Sequence, residues 1–522
     1  MRILWVVVYI SFILVGCKKT NDIIVRPVPT PAPVIKLPIL VTDSIKNLSG
    51  YSVDFSGRLV DSGGSKVKEL GFLVDTVSMP TLQRNVNKIT KNADSAGVFK
   101  SVIIGIPSNK RWYIRTYGIN DDGVGYGNEV SFNSLPDKTY FGSITLSNQQ
   151  EVNDFGSNNY TYIRGGLTVT GTTITDLSPL NSIIKISSRL DIIRTSIKDF
   201  TGLENLEIIG VDFPGGLKVE HNYLLKNFKG LKKLKIIDGN TSIFRNKILE
   251  NLEGLESLTT CLNFEIHIND NENLKSLKGL EQLRILLGSL MIRRNPLLTD
   301  ISALRNLEVL YYDLEIDNNA SLTNLNGLEK IKLLERISLK NNPNLLDISA
   351  LRNIDSVRFA IYAIGNSVLS DFTPLNKIKH LEILNVSDNS KLSSLDAFQN
   401  LRSLIYLYVE RNPLLFNFKG MENIQSLKIL YVSHNDKLLN MKGLDNLSNV
   451  ETVNLNNNPS LKNLEGLGNI KSLKTLFAIA INSSLDDYCA VKPLLVSGIT
   501  GEWLVTDNKF NPTISQVIAN CK

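Results

Sequence analysis

The chain has 522 residues, of which 43% are apolar and 21% charged, a composition typical of globular rather than disordered proteins. Its length exceeds that of one ordinary domain, so more than one domain is expected. The formal net charge of +6 is spread along the chain without a basic block, which is a weak argument for nucleic-acid or membrane binding, and we expect no nucleic-acid partner.

The first 16 residues have the features of an export signal. Residues 3–15 form an apolar run of thirteen residues, which is too short to span a bilayer comfortably and suits the apolar core of a signal peptide. Residues 14–17 read Leu-Val-Gly-Cys and resemble the lipobox of bacterial lipoproteins. This resemblance implies cleavage before Cys17 and lipid modification of Cys17, whereas an ordinary cleaved signal with an incidental cysteine is the alternative.

A lipid anchor on Cys17 would attach the protein stably to a membrane, since more than one acyl chain makes attachment effectively permanent. Lys18 stands where many lipoproteins retained in the inner membrane have aspartate, so the resemblance implies the outer membrane. We expect exposure at the cell surface, with the periplasmic face as the alternative. Residues 17–38 contain five prolines, a pattern typical of an extended polyproline II linker.

Residues 39–135 alternate apolar and polar residues along short runs separated by Gly and Asp turns, which predicts an antiparallel β-sandwich. The run from Trp112 to Asn120 resembles the late strands of a fibronectin type III domain, a family whose members usually act as spacers. Counting back from Asn120 places Trp112 at the position of the tyrosine corner. This departs from the family pattern, so the phenolic hydrogen bond of that corner is expected to be absent or to be supplied by another residue.

Residues 136–166 are predicted to cap the region that follows. Ser147 and Gln150 have the spacing of a capping box, and Val152 and Phe155 share one face of the helix that this box would start. A short amphipathic helix here would cover the open end of a repeat array, which otherwise exposes apolar core and unpaired strand edges.

Residues 167–484 consist of about fourteen repeats. A closing apolar residue recurs at steps of 23–28 residues, a period typical of leucine-rich repeats. The residue before it is always Gly, Ala or Pro, as a tight turn requires. The closing residues are Leu180, Leu203, Leu231, Leu255, Leu280, Leu304, Leu328, Leu351, Leu375, Phe398, Met421, Leu444, Leu467 and Val491.

An Asn stands nine residues before the closing residue in twelve of the fourteen repeats, and Thr172 and Thr195 replace it in the first two. A side-chain amide both donates and accepts, so stacked Asn residues can satisfy the backbone at a buried bend of their own and the adjacent coil. We interpret this column as a structural ladder. Its members are Asn222, Asn246, Asn271, Asn295, Asn319, Asn342, Asn366, Asn389, Asn412, Asn435, Asn458 and Asn482.

Segments 175–180 (Thr-Asp-Leu-Ser-Pro-Leu) and 370–375 (Ser-Asp-Phe-Thr-Pro-Leu) resemble internalin-type repeats, and the longer repeats that contain Gly-Leu resemble receptor L-domains. These resemblances imply a curved leucine-rich-repeat solenoid with a parallel β-sheet on its concave face, where members of such families bind ligands. The predicted fold is therefore mainly β, with this solenoid preceded by the fibronectin III-like sandwich.

In each repeat two strand residues flanking a buried position point away from the core. One group of them combines aromatic rings with amides, which suits a sugar ring or a protein partner, although the preference of Tyr for strands is an alternative explanation. The candidate ligand-binding residues are Tyr362, Asn385, Tyr408, Glu410, Tyr431, Ser433, Asn454 and Asn456. On the preceding strands, Arg293, Asp317 and Lys340 alternate in sign and are predicted to form a cross-strand charge ladder.

Two of the four cysteines, Cys489 and Cys521, flank the last segment, residues 485–522, which we interpret as a C-terminal cap. They resemble the pair whose disulfide holds the cap of a solenoid, and export permits oxidation, although spacing alone does not establish the bond. Cys261 lies in an apolar stretch and is predicted to be a buried, inert thiol.

The sequence contains no P-loop, GxSxG or HExxH motif, and its four histidines lack metal-ligand spacing. We therefore predict a protein that is not an enzyme and needs no cofactor or metal. The favoured hypothesis is a surface lipoprotein that captures a protein or glycan ligand. A structural or assembly component docked to another envelope protein is the alternative.

Overall fold

The computed structural model describes residues 36–46, 48, 52–92, 97–104, 106–107, 109–134, 136–210, 212–213, 215–262 and 265–521. The predicted signal peptide, Cys17 and nearly all of the linker lie outside the described residues. The chain forms two compact units, the larger of which contains Ile45–Asp54, Val102–Trp112 and the sequence from Phe132 onward. Among the described residues, no helix combines the length and apolar character needed to cross a membrane.

The strands between residues 39 and 133, which we call the N-terminal unit, are antiparallel and form two sheets, with strand orders β1-β2-β5 and β4-β3-β6-β7. The strands are β1 (Ile39–Thr42), β2 (Ser52–Asp61), β3 (Glu69–Asp75), β4 (Asn87–Lys91), β5 (Val98–Ile104), β6 (Arg111–Ile119) and β7 (Val124–Asn133). The ring of Phe72 lies 4.6 Å from that of Phe55 and 4.8 Å from that of Phe99, between centroids. The predicted antiparallel β region before the repeats is confirmed.

Trp112 stands where the fibronectin resemblance expects a tyrosine. Its side chain is buried, and its indole N–H lies 3.5 Å from the carbonyl oxygen of Pro107, at the long limit of hydrogen bonding. A buried phenol on the same strand is that of Tyr117, whose hydroxyl donates to Glu69 at 2.7 Å. Burial raises the pKa of Tyr117 to about 12. Position 112 therefore contributes buried apolar surface rather than a phenolic hydrogen bond.

The larger unit is a β-solenoid of parallel strands. Its elements in chain order are β8 (Thr139–Phe141), β9 (Ile144–Leu146), α1 (Gln149–Gly156), β10 (Tyr162–Arg164), β11 (Leu167–Thr170), β12 (Lys185–Ile186), β13 (Arg189–Ile193), β14 (Ile208–Ile209), β15 (Gly216–Glu220), β16 (Ile236–Asp238), β17 (Thr241–Phe244), β18 (Thr260–Leu262), β19 (Ile266–Asn269), β20 (Ile285–Leu286), β21 (Leu290–Arg293), β22 (Val309–Leu310), β23 (Asp313–Asp317), β24 (Leu333–Lys340), β25 (Ser356–Ile364), β26 (Ile383–Ser387), β27 (Tyr406–Glu410), β28 (Ser426–Ser433), β29 (Asn449–Asn456), β30 (Ser472–Ala480), α2 (Lys492–Ser497), β31 (Glu502–Thr506) and α3 (Ile514–Asn520).

Two parallel sheets run along the solenoid. The main sheet has sixteen strands, of which β11, β13, β15, β17, β19, β21 and β23 to β30 come from the fourteen predicted repeats, while β9 and β31 extend it at the two ends. The second sheet has eight strands, the even-numbered ones from β8 to β22. It stops at β22, because from β24 onward each described repeat contributes one strand instead of two. The predicted repeat solenoid is confirmed.

Leucine, isoleucine and valine side chains fill the space enclosed by the coils, most of them fully buried. Cys261 lies in this core with 1% of its side chain exposed. Burial raises the pKa of its thiol to about 12, so the thiolate that would react is disfavoured.

The residue before each closing position selects between two turns. Where it is Gly, φ is positive, between 103° and 119° from Gly202 to Gly466, a region that residues with a Cβ avoid. Where it is Ala or Pro, a 3₁₀ turn forms instead. These turns are Ser178–Leu180, Ser302–Asn306, Ser349–Asn353, Thr373–Leu375, Asp396–Phe398 and Cys489–Val491.

All twelve Asn residues of the predicted ladder have no exposed surface. The carbonyl oxygen of the Asn435 side chain accepts the N–H of Asn412 at 3.0 Å, and its amide nitrogen donates to the carbonyl of Val409 at 2.9 Å and to that of Ser433 at 3.0 Å. Each side chain therefore joins its own bend to the preceding coil and supplies hydrogen-bond partners to backbone N–H and C=O groups that are buried away from water.

The ladder extends further than the sequence interpretation placed it. Thr195 precedes it and donates its hydroxyl to Asn222 at 2.7 Å. Asn508 follows it and accepts the N–H of Asn482 at 2.9 Å. The residue before each ladder position has positive φ. These left-handed residues are Arg194, His221, Arg245, Asp270, Arg294, Asn318, Asn341, Gly365, Asp388, Arg411, His434, Asn457, Ile481 and Asp507.

A second set of asparagines, which the sequence interpretation missed, joins adjacent coils two residues after the closing position. Each donates its side-chain amide to a backbone carbonyl of the preceding coil at 2.6–2.9 Å. The members are Asn205, Asn306, Asn353, Asn400, Asn423, Asn446 and Asn469.

The helix α1 covers the N-terminal end of the solenoid core with Val152 and Phe155. Its N-cap is Asn148, whose side chain accepts the N–H of Glu151 at 3.0 Å, and the Glu151 carboxylate accepts the N–H of Ser147 at 2.6 Å. The predicted capping box at Ser147 and Gln150 is therefore wrong by one residue. Asn and Glu at the same spacing satisfy the first turn instead.

The C-terminal segment contains helices α2 and α3 and the strand β31 between them. Cys489 and Cys521 form a disulfide with their Cα atoms 5.2 Å apart. Trp503 stacks on Phe477 of the preceding coil at 4.9 Å between ring centroids. The segment interpreted only as a cap thus includes one more coil of the solenoid.

Candidate ligand-binding surface

The outer face of the main sheet is the face whose side chains point away from the core. Five of the predicted residues occupy equivalent positions on five consecutive strands of this face, and we name them the tyrosine row. Strand register places each beside the next along the sheet: Tyr362, Asn385, Tyr408, Tyr431 and Asn454. All five are partly exposed. The solenoid therefore brings together residues that lie 23 positions apart in the sequence.

The tyrosine rings lie close to one another and to one cation. The rings of Tyr408 and Tyr431 are 6.2 Å apart at an interplanar angle of 41°, and the ammonium of Lys340 lies 4.9 Å from the centroid of the Tyr362 ring. Burial, assisted by the neighbouring Tyr406, Tyr362 and Glu410, raises the pKa of Tyr408. The phenol of Tyr408 is therefore a neutral hydrogen-bonding group at physiological pH.

The row leaves several polar groups without partners inside the part of the chain that the structure describes. No hydrogen bond is found there for the hydroxyls of Tyr362, Tyr408 and Tyr431, or for the side-chain amide nitrogens of Asn385 and Asn454. A surface with unused donors beside flat apolar rings can bind a polar ligand that also presents apolar faces.

Residues two positions after members of the row, on the same strands, form hydrogen bonds that position side chains in and next to the row. Ser387 donates to the side-chain oxygen of Asn385 at 2.6 Å, and Ser433 donates to Glu410 at 3.1 Å. The amide of Asn456 donates to the side-chain oxygen of Asn454. The other side-chain atom of Asn456, its oxygen, is buried without a partner among the described residues, a cost that a ligand donor or water would relieve.

Ser433 does not contact solvent as the sequence interpretation required. Only 1% of its surface is exposed, and it lies between Glu410 and Asn456 of the adjacent strands. Its hydroxyl instead fixes the Glu410 carboxylate. Direct ligand contact by Ser433 is therefore not supported, whereas a positioning role is.

The sequence interpretation missed Tyr406, which lies two residues before Tyr408 on β27 and is partly exposed on the same face. Strand register places it between Ile383 and Ile429. The alternation Tyr406-Leu407-Tyr408 is the signal that could have found it, since residues two apart in a strand share a face.

On the preceding strands the outer face is charged and largely paired with itself. Arg293 makes two hydrogen bonds to Glu315, at 2.8 and 2.5 Å. His267 contacts Glu265 at 2.6 Å, and Lys218 lies 3.1 Å from Glu220. These pairs use each charge locally.

The predicted charge ladder of Arg293, Asp317 and Lys340 is wrong. Register does place Arg293 beside Asp317, but the long guanidinium reaches diagonally to Glu315. Asp317 accepts the side-chain amides of Asn318 and Asn341, while Lys340 lies over Tyr362.

The four histidines lie in different coils. His221 packs against Tyr223 and Phe244, and His434 occupies a left-handed bend. Among the described residues, no group of three or more His, Cys, Asp or Glu side chains has the arrangement to hold a metal ion.

No protein-family model matches the chain, and no curated protein matches its sequence. Among solved structures, a leucine rich cell surface protein of Faecalibacterium prausnitzii A2-165 aligns over 78% of this chain and 96% of its own at 8% identity, with a TM-score of 0.18. A likeness this weak carries no inference about fold or function. The solenoid assignment stands on the strand pairing described above.

Proposed function

We propose that this protein is a non-enzymatic binding protein that captures a protein or glycan ligand on the outer face of its main sheet. The observation that carries the proposal is the tyrosine row, where three phenol hydroxyls and two amide nitrogens have no partner among the described residues. Because these groups are partly exposed, they can form hydrogen bonds with a ligand in place of water. Glu410, which Ser433 holds in place, adds an acceptor at the edge of the row.

The proposed cellular setting rests on the N-terminal sequence. Cleavage before Cys17 and its lipid modification would anchor the chain in the outer membrane, with the binding face exposed at the cell surface, and the Pro-rich linker would separate the folded units from the lipid. Fibronectin type III kinship of the N-terminal unit is supported by its three-stranded and four-stranded sheets, β1-β2-β5 and β4-β3-β6-β7. We assign that unit a spacer role.

The binding proposal is tested with the chain from residue 18 onward, produced in an oxidising compartment and applied to glycan and protein arrays. For any ligand found, replacing Tyr408 and Tyr431 together by Ala should weaken binding by about tenfold or more, because aromatic anchors dominate interface energies. Tyr311→Ala is the matched control, since Tyr311 is 56% exposed beyond β22 of the second sheet, away from the row. Unchanged affinity in the double variant would contradict the proposal.

A structural or assembly role, with the solenoid docked permanently to another envelope protein, is the second candidate. Protease shaving of intact cells separates the two, because a captured external ligand requires access to the repeats. Cleavage within the repeats on intact cells favours ligand capture. Protection on intact cells, followed by cleavage after outer-membrane permeabilisation, favours the assembly role.

A further inference from the structure

Charged side chains recur at the left-handed bend that precedes each ladder position. The backbone N–H groups of successive bend residues donate to the next coil in the same way, at 3.0 Å for Arg194, 3.0 Å for His221 and 3.2 Å for Arg245. These three residues therefore occupy equivalent positions on consecutive coils. Equivalent positions on adjacent coils are separated by the strand spacing of about 4.8 Å.

Two bend arginines have a carboxylate at the equivalent position of the preceding coil. The guanidinium of Arg294 donates to both oxygens of Asp270, at 2.8 and 2.6 Å. The guanidinium of Arg411 donates in the same way to both oxygens of Asp388. Two-pronged contact of this kind is the strong form of the arginine–carboxylate interaction. The column of bends therefore shows which group a bend arginine binds and where that group lies.

Arg194 and Arg245 lack such a carboxylate. At the equivalent position of the preceding coil stand Gly171 for Arg194 and His221 for Arg245. Both arginines are exposed, and neither guanidinium has an ion pair or a hydrogen bond within the part of the chain that the structure describes. These two bends present the cation without its anion.

The carboxylates at or next to these bends are already engaged. Glu220 lies 3.1 Å from Lys218 and accepts the hydroxyl of Ser242 at 2.8 Å. Asp270 is bound to Arg294. An anion that binds the two open arginines therefore has to come from outside the chain.

Aromatic rings position two side chains of this column. The guanidinium of Arg245 lies 4.8 Å from the centroid of the Phe244 ring, and the ring of His221 lies 5.4 Å from the same ring. A guanidinium packed on a ring loses less conformational freedom when it binds a ligand. His221 adds a ring N–H donor on the coil between the two arginines, and Tyr223, which is 55% exposed, lies 6.4 Å from it. We name Arg194, His221 and Arg245 the basic row.

We propose that the basic row binds an acidic polysaccharide in which every second sugar carries a carboxylate. The carboxylate is inferred from the Asp side chains that bind Arg294 and Arg411. The spacing is inferred from the solenoid, because the two open arginines are two coils, or about 10 Å, apart, which is close to the length of a disaccharide unit. A nucleic acid fits less well, since its phosphates are more densely spaced and its binding proteins neutralise several of them. This site does not rest on the tyrosine row.

Hyaluronan oligosaccharides, which alternate glucuronate with N-acetylglucosamine, are the probe that tests this site. The chain from residue 18 onward should bind them, and added salt should weaken the binding. The matched probe is the same oligosaccharide with its carboxylates reduced to alcohols, which should bind at least about tenfold more weakly. Absence of binding at about 1 mM oligosaccharide, or equal binding of the reduced probe, would overturn the proposal.

Substitution of His221 tests the inferred position of the carboxylate. His221→Asp places a carboxylate beside Arg245 as Asp270 lies beside Arg294, and Asp270 shows that Asp adopts this bend, at φ of 57°. Arg245 would then be engaged within the chain, so hyaluronan binding should fall at least about tenfold. His221→Asn is the control, because Asn tolerates the same bend without adding a charge, and it should bind at least about threefold more tightly than His221→Asp. Equal affinities of the two variants would contradict the proposal.

Removal of the arginines is an independent measurement that leaves the bend at His221 intact. Arg194→Gln and Arg245→Gln should each weaken hyaluronan binding by about tenfold, because each loses a charged hydrogen-bond donor. Arg411→Gln is the matched control, since this bend arginine is already paired with Asp388, and it should leave the affinity unchanged. A loss as large in Arg411→Gln would show that overall charge, and not the basic row, attracts the polysaccharide.

Two comparisons locate the site and identify the class of ligand. The double variant with Tyr408→Ala and Tyr431→Ala should bind hyaluronan as the wild-type chain does. A loss there would place the polysaccharide on the tyrosine row, which would overturn this proposal and leave the proposed function standing. Single-stranded DNA of equal length should bind more weakly at the same salt concentration. Equal binding would overturn the proposal, because the basic row would then respond to charge alone.

Discussion

The first seven repeats, with main-sheet strands β11 to β23, and the last seven, with β24 to β30, share one core and one Asn ladder but differ in two respects. The first seven form a second sheet and have closing positions 23–28 residues apart, whereas the last seven form a single sheet with steps of 23 or 24. Short corner segments such as Gly239-Asn240, between β16 and β17, account for the separation into two strands.

The outer faces differ as well. The first seven repeats pair charges on their own surface, as Arg293 does with Glu315. The last seven present the tyrosine row, whose phenol hydroxyls and Asn385 and Asn454 amide nitrogens have no hydrogen-bond partner in the described chain. A face that neutralises itself needs no ligand to be stable. The unpaired groups of the tyrosine row are therefore the part of the sheet suited to binding, and the common core and ladder hold both faces in register.

The largest expected effect on stability comes from replacing the glycine before the closing residue. Making this change in each half tests whether both halves need Gly at that turn. In Gly443→Ala, and likewise in Gly279→Ala of the first half, the new Cβ would lie 2.0 Å from a backbone carbonyl oxygen, at φ values of 105° and 113°. We expect each to lower the free energy of unfolding by about 3 kcal/mol or more, measured by chemical denaturation. Ala397→Gly, in a 3₁₀ turn, should cost about 1 kcal/mol or less. Equal costs for all three would show that the turn type is not set by this residue.

The ladder should contribute equally to both halves. Asn435→Ala and Asn295→Ala each leave buried backbone groups unpaired, so each should cost about 1–3 kcal/mol of stability, with little direct effect on ligand affinity. Asn446→Ala is the control, since it removes one hydrogen bond to a carbonyl at an exposed position and should cost less. An unchanged denaturation midpoint for Asn435→Ala would contradict the ladder's structural role.

The outer faces should respond differently to removal of their polar groups. A double-mutant cycle on Arg293 and Glu315, whose side chains are 28% and 19% exposed, should give a coupling of about 1 kcal/mol that falls with added salt. Tyr408→Phe and Tyr431→Phe should change stability by less than about 0.5 kcal/mol, because their hydroxyls have no partner in the described chain. A coupling near zero in the first half would remove the distinction between the two faces.

Much of the fold could be predicted because the solenoid repeats one physical requirement in every coil. The Asn column and the closing Leu are visible in the sequence since buried backbone groups and a continuous core constrain each coil alike. The strand β31 was missed although Asn508 has a buried residue, Val517, at the usual spacing of nine residues. Gln516 precedes Val517 where the repeats have Gly, Ala or Pro, so the pattern breaks at that point.

The second sheet and the charge pairs were not predictable in the same way. Strands of two or three residues such as β14 and β20 have no periodicity of their own, and they exist because adjacent coils stack in register. For the candidate site, the repeat period gave the tyrosine row. It could not reveal that Ser433 is buried or that Arg293 reaches diagonally to Glu315, because both depend on side-chain length and conformation.

The smallest expected effect concerns the left-handed residue before each ladder position, which both halves share. Ile481 has φ of 60° and is 55% exposed, and a β-branched residue is strained there, whereas Asn tolerates this region. Three equivalent positions hold Asn, among them Asn457. We expect Ile481→Asn to raise the free energy of unfolding by about 1 kcal/mol and Asn457→Ile to lower it by a similar amount, both measured by chemical denaturation. If both substitutions shifted the midpoint in the same direction, local backbone strain would not be what distinguishes these bends.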